Sequence, residues 1–474
     1  MLRVRHSILL ELKGQASRCC SRLRQVIAAT QCSREPRPIT HRILDRICPL
    51  THSGPQSLMA SQKCVCRHVS SGSTDMIEPI ERKILAHAAA LDPAPDGFRK
   101  IWFRVSPDLS MNHLLETAIR EGLGSHLYKS LKRSRLLESL AEREKQKLET
   151  QYYQVVRNNL RLIHDLKEIL RQSHRRGIRP VLLQGMDLIS EIYEDVGLRP
   201  MVDIDLWVLK KDHAGFVKSL LGSGYESDPL YPNTFRRGST TVDLHTHLLW
   251  ADRIRARQFL LSRTDEEIYR DSRTVTWEGE EAQCLSRYDQ VIYLALHALK
   301  HRFNRLIWLV DIKNITAHWD PSEWEALRSR AKELGQPRIL SYVLFLLSHV
   351  FGYQPPKEVR SLLIERLNLL ERRALMGRVN GHELPVWAPA FLFSSDMDRR
   401  SRLSFIFESL FPRPEILQQV FPSSQARLWQ LYLRRILQIL RMTYPSLKAL
   451  MSVNPNKSKR LKKESSIYTR RRNT

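Results

Sequence analysis

With 474 residues the chain is long enough for two or three domains, which excludes a peptide hormone or a lone small module. Its 42 % hydrophobic and 27 % charged residues are ordinary globular proportions and exclude a mostly disordered or collagen-like polymer. A net charge of +26 favours phosphorylated ligands, acidic polymers or anionic lipid as partners, but the sign alone does not choose among them.

Residues 1–75 hold 12 basic and 4 acidic residues without sustained periodicity, so they read as a disordered basic arm with one short helix over 8–27. Six of the seven cysteines lie here: Cys19, Cys20, Cys32, Cys48, Cys64 and Cys66. Cys64-Val-Cys66-Arg-His68 is half of a zinc motif with no second pair at finger spacing, which favours a solvated arm over a metal site. The Arg-rich, acid-poor start is similar in composition to a transit peptide, and Met59 or Met76 would equally begin the folded part. Only Cys284 falls where folding is expected, which suits a reducing, cytoplasmic setting. No apolar run reaches the roughly 18 residues of a membrane span. The nearest, 339–351, is short and broken by Ser341, Ser348 and His349.

Over 76–177 apolar residues recur at helical spacing, as in Leu114, Leu115, Ala118, Ile119 and Leu123, and again in Leu160, Ile163, Leu166, Ile169 and Leu170. The segment 133–176, rich in Glu, Lys, Arg and Leu and free of Pro and Gly, predicts one long helix or two with a slight break. After Gly177 the pattern turns to short apolar runs at 180–183, 204–209 and 240–244, with amphipathic stretches at 188–193 and 216–221 between them. These predict strand, helix, strand, helix, strand within an α/β core over 178–287. A helical domain follows over 288–454, with helices at 291–301, 306–318, 322–334, 338–351 and 425–442, and residues 455–474 form a solvated basic tail. The fold class expected is α+β: a small mixed sheet with flanking helices, a helical region before it and a helical domain after it.

Asp203 and Asp205 sit two apart in a strand-like run, so their side chains share one face with Cα atoms about 6–7 Å apart. Two carboxylates on one face repel unless a cation lies between them, and Mg²⁺ accepts such an all-oxygen set. Asp-x-Asp alone is a weak signal. The third carboxylate, Asp243, stands on a later strand with His245 and His247 on the same predicted face, and a glycine turn follows the first strand. Three acids on two ions about 3.5–4 Å apart would orient a triphosphate and activate a hydroxyl, which is phosphoryl or nucleotidyl chemistry. Asp243, His245 and His247 also admit a zinc reading, against which stands the usual role of strand histidines as hydrogen-bonded neighbours of carboxylates. His297 and His301, four apart with Lys300 beside them, either pack a helix on the sheet or line the cleft.

Taken in order, Gln184-Gly185, Tyr193, Arg199-Pro200, Asp203-Ile204-Asp205, Val242-Asp243-Leu244-His245 and the block from His297 to Ile312 resemble the uncharacterised nucleotidyltransferases of the DNA polymerase β-like superfamily, over roughly 114–350. The resemblance implies that Asp203 and Asp205 hold two Mg²⁺ ions, and that Asp243 holds one of them and takes the acceptor's proton. It implies nucleotide binding at Gln184, Gly185, Met186 and Arg199, and cleft-lining roles for His245, His297, Lys300 and His301. The substrate implied is an NTP, with ATP the expected donor, and the acceptor is a hydroxyl that the sequence does not identify. Gly185-Met186 departs from the Gly-Ser usual in the superfamily's phosphate turn, and Gln184 from the commoner Lys. That departure raises an alternative, a nucleotide-binding or scaffold protein that has lost catalysis. Nucleic acid enters only as a salt-sensitive partner of the basic tails, since no RNA-binding module or aromatic stripe is present.

Overall fold

The computed structural model describes residues 79–452 apart from 91–94, 106–108, 358–359, 361–366 and 422–425. The arm over 1–75 and the tail over 455–474 lie outside the described residues. Four helices come first: α1 (Pro79–Ala88), α2 (Pro95–Val105), α3 (Met111–Arg120) and α4 (Gly124–Arg133). The long helix predicted from 133 begins later, as α5 (Glu142–His174). Arg135 at φ 54° breaks the chain before it, and Leu136 and Leu137 are buried in the intervening turn, so their burial outweighs the local helix propensity. The stripe Leu162, Leu166, Ile169 and Leu170 of α5 covers one face of the sheet.

The sheet has seven strands in the order β3-β4-β5-β2-β1-β7-β6. They are β1 (Val181–Leu182), β2 (Ile204–Trp207), β3 (Glu226–Ser227), β4 (Thr234–Arg237), β5 (Thr240–His245), β6 (Arg273–Trp277) and β7 (Glu280–Cys284). The predicted strand–helix–strand–helix–strand run is present as β1, α6 (Gly185–Glu191), β2, α7 (His213–Gly222) and β5. β2 runs parallel to β5, and β1 runs antiparallel to β2 and parallel to β7, so the sheet is mixed. The sheet is wider than the three strands legible in the sequence. The β6–β7 hairpin turns on Glu278 and Gly279, both at positive φ, as a two-residue hairpin loop of type I′ requires. Glu-Gly is a weaker signature than Asn-Gly, and β7 opens on two glutamates and carries Gln283, which hides it from a hydrophobicity count.

After β7 come α9 (Arg287–Lys300), α10 (Ile307–Ile315), α11 (Pro321–Glu333) and α12 (Pro337–Phe351), preceded in the chain by the short α8 (Asp265–Arg270). Ser286 caps α9 by accepting from the Asp289 amide, and Asp320 closes a capping box with Glu323 at α11. Helices α13 (Leu369–Val379), α14 (Ala388–Phe393), α15 (Arg399–Leu410), α16 (Pro414–Val420) and α17 (Leu428–Ser452) complete the described chain. The helices before β1 and those after β7 share one apolar cluster, running from Ile84 and Leu114 to Leu347 and Leu375. Glu121 ties the two groups across it: its carboxylate accepts from Arg378 at 2.8 Å and from the Leu306 amide at 2.9 Å. Among the described residues no helix is long and apolar enough to cross a membrane.

Candidate functional site

Strand alternation builds the site. Ile204, Leu206, Val242 and Leu244 are buried in the cluster under α5, so Asp205 and Asp243 must emerge from the opposite face. The parallel register makes these two acids direct partners, Asp205 with Asp243 and Trp207 with His245. Adjacent strands lie about 4.8 Å apart, so two carboxylates in register repel strongly unless a cation or donor offsets them. Asp203 is half-buried just ahead of β2, two residues before Asp205.

Each paired carboxylate already has one donor. The His245 Nε2 donates to Asp205 Oδ1 at 3.0 Å, and the Thr234 hydroxyl donates to Asp243 Oδ1 at 2.7 Å. The other oxygen of each makes no hydrogen bond to the described residues. As a donor set, three carboxylates suit a hard divalent ion. In the arrangement described, however, no three His, Cys, Asp or Glu side chains are gathered tightly enough to grip a metal, among the described residues. The oxygens fit such an ion in kind.

A cationic and aromatic wall faces the carboxylates from the loop after β5 and from α9. The Lys300 ammonium lies 3.6 Å from the centroid of the Trp250 ring. Burial, with Arg257 and Arg253 nearby, pushes Lys300 down to about 7, while Asp205 and Asp243 pull the other way. The same carboxylates therefore share a field with three cations. His297 is buried between Trp250, with ring centroids 5.7 Å apart, and Trp308, at 5.4 Å. Burial holds His297 far below the ordinary imidazole value, with His301 and Lys300 adding to it, and its Nδ1 has no hydrogen-bond partner. Burial and Lys300 likewise push His301 down to about 3. Both rings are neutral at physiological pH, so the positive charge of the wall comes from Lys300, Arg253 and Arg257. Tyr293 is buried below them, and burial and Asp205 raise its phenol far above the usual range. The Gln184 amide lies beside that phenol, whose hydroxyl makes no hydrogen bond of ordinary geometry.

Several expected site residues are held by partners of their own. Met186 is 1 % exposed and belongs to the apolar cluster under the sheet, so its side chain is turned away from the carboxylates. Arg199 is equally committed elsewhere: its Nε lies 2.9 Å from both oxygens of Asp311, and its Nη1 donates to the Pro200 carbonyl at 2.9 Å. Tyr193 donates to the same Asp311 at 2.6 Å. The motif residues Tyr193, Arg199 and Asp311 thus form one buried knot that fastens the loop before β2 to α10. Gly185 has a packing reason as well as a phosphate one, since a Cβ there would stand 2.6 Å from Met201 Cγ and Sδ. The zinc reading is not assembled. His247 lies beyond β5 and pairs with Asp265 at 3.1 Å, while His245 turns to Asp205.

Gln184 carries the backbone of the turn at φ 55° and ψ −122°, a conformation that costs a residue with a side chain about 1–3 kcal/mol. The sequence reading missed Trp250, Tyr293, Arg253 and Arg257. Trp250 also stands at positive φ, 59°, which no local pattern announces. Arg253 and Arg257 were visible only as two of many basic residues, and nothing short of the tertiary fold separates them from the rest.

The site thus sets two carboxylates in register on parallel strands of a mixed sheet, with Lys300 near them. The family described as "Uncharacterised nucleotidyltransferase" matches residues 107–352, more than half of the chain. The chain belongs to this family. No curated protein and no solved structure matches it.

Proposed function

We propose that the chain is a Mg²⁺-dependent nucleotidyltransferase that moves a nucleoside monophosphate from an NTP, ATP the expected donor, to a hydroxyl acceptor. The observation that carries this reading is the register pair Asp205–Asp243 set against Lys300, which has Arg253 and Arg257 near it. The acceptor oxygen attacks the α-phosphorus, the bond from that phosphorus to the bridging oxygen breaks, and pyrophosphate leaves. Asp243 is suited to take the acceptor's proton through the oxygen that Thr234 leaves unengaged. Lys300, Arg253 and Arg257 are suited to hold the β- and γ-phosphates, where neutral His297 and His301 add no charge. Asp203, Asp205 and Asp243 would hold the magnesium, which would supply charge stabilisation on the phosphate oxygens.

One observation favours a second reading, nucleotide binding without turnover: at the position where the superfamily carries serine, Met186 contributes an apolar side chain to the core and no hydroxyl to the turn. The test separates the two. The purified chain is incubated with each NTP and Mg²⁺, pyrophosphate release is followed, and nucleotide-modified products are sought by mass spectrometry. Release that disappears in Asp243→Asn supports transfer. Saturable ATP binding with no pyrophosphate supports the second reading, and neither binding nor release overturns both.

A further inference from the structure

Helix α17 spans 25 residues and holds four basic side chains and no acidic one. At 3.6 residues per turn, Trp429, Leu433, Leu437 and Leu440 fall on one stripe, and all four are exposed, Trp429 and Leu440 at 60 %. Leu431, on the opposite side, is 3 % exposed and packs the helix against the body. Arg434 and Arg441 are exposed along one border of the stripe. Helix α15 repeats the pattern, with Leu403 at 62 % and Phe407 at 64 % exposed beside exposed Arg399 and Arg400. The two helices adjoin through Phe411 and Tyr432, whose ring centroids are 6.3 Å apart.

A row of large apolar side chains left in water is costly and marks a surface that meets something apolar. Helix α17 is not apolar enough to span a bilayer. An apolar stripe bordered by arginines with Trp at one end is instead the pattern of a helix lying in the interfacial plane. The sequence at 455–474 adds eight basic residues and one acidic residue directly after it. A second copy of this chain fits the stripe less well, because self-pairing would bring Arg434 and Arg441 of one helix close to those of the other, and the helix holds no acid to offset them. A nucleic acid would use the arginines and leave the leucine stripe in water.

We propose that α17, with α15 beside it, docks the protein on an anionic lipid bilayer, the leucine and tryptophan stripe entering the acyl boundary while Arg434 and Arg441 meet the phosphate headgroups. The test uses the full chain with phosphatidylcholine vesicles prepared with and without phosphatidylserine, the bound fraction being read by flotation. Binding should require phosphatidylserine and weaken with salt. The pair Leu433→Gln and Leu437→Gln should lower it about tenfold or more. Arg434→Gln and Arg441→Gln should each lower it about fivefold on anionic vesicles alone. Because these side chains are exposed, the variants should keep the parent's thermal midpoint, and Trp429→Ser gives an independent reading of the same stripe. Failure to bind anionic vesicles overturns the proposal. So does binding that survives both the leucine pair and Trp429→Ser, which would leave adsorption by the basic tail alone. A dimer that the leucine pair dissolves, with no vesicle binding, would assign the stripe to a second copy and overturn it equally.

Discussion

Ile204, Leu206, Val242 and Leu244 point to one side of β2 and β5, and Asp205, Asp243 and His245 to the other, so the same two strands serve a dry core and a charged cleft. On the dry side the partner is the leucine stripe of α5, and any residue of similar volume and apolarity would satisfy it. On the cleft side each acid has a specific donor, His245 for one and Thr234 for the other, and a wall of buried cations and rings opposite. Substitutions on the first side should therefore change stability with little change in chemistry, and those on the second should do the reverse.

The sharpest break in that comparison is Asp243→Asn, which keeps shape and the Thr234 contact while removing the negative charge. Pyrophosphate release should fall about 10²- to 10⁴-fold with the thermal midpoint nearly unchanged, measured side by side in the same preparation. Next is the knot behind the cleft. Arg199→Ala leaves Asp311, which is 0 % exposed, without its ion pair and should cost about 3–5 kcal/mol in denaturant unfolding. Here a double substitution that also changes Asp311 to Asn should recover part of the loss, and no recovery would show that the pair is not the cause. On the dry face, Leu206→Ala should cost about 2–5 kcal/mol, and a variant that stays folded should retain the parent's affinity for ATP.

Lys300 offers a pH test. Its folded-state value near 7 means that it is a cation below that pH and neutral above it. If the ammonium holds phosphate, ATP affinity should fall by up to about tenfold as pH rises from about 6 to about 8. Lys300→Arg, charged throughout, should flatten the profile, and an unchanged slope would remove Lys300 from the phosphate site. The smallest effect is expected at Gln184. Gly tolerates φ 55° and ψ −122°, so Gln184→Gly should stabilise the fold by about 1 kcal/mol or less after the entropy of glycine is subtracted. A loss of stability would mean that the Gln184 amide beside Tyr293 matters more than the backbone strain.

Much of the carboxylate arrangement was legible because it is local. Asp205 turns away from the core through the two-residue period of a strand, as its apolar neighbours Ile204 and Leu206 indicate, whereas Asp203 lies in a bend ahead of β2 and outside that alternation. The side chains of Met186 and Arg199 were less legible, for a different reason. Motif position suggests that they meet the ligand, but whether a side chain turns to the cleft or to the core depends on α5 and α10, elements far off in the chain. His247 shows the same limit at closer range: β5 ends at His245, so the alternation that would have aligned His247 with Asp243 stops two residues too soon.

Hydrophobic period and strand alternation, both properties of neighbouring residues, were enough to determine the α+β class, the long helix over the sheet and the facing of Asp205 and Asp243. The tertiary structure alone decided the rest: that β2 and β5 are in register, that Arg199 is spent on Asp311, and that Lys300 from α9 meets the acids with Trp250, Arg253 and Arg257 of the loop after β5 beside it. The reason is physical. Periodicity is set by backbone geometry within a few residues, whereas burial and electrostatic environment are set by whichever distant segment fills the neighbouring space.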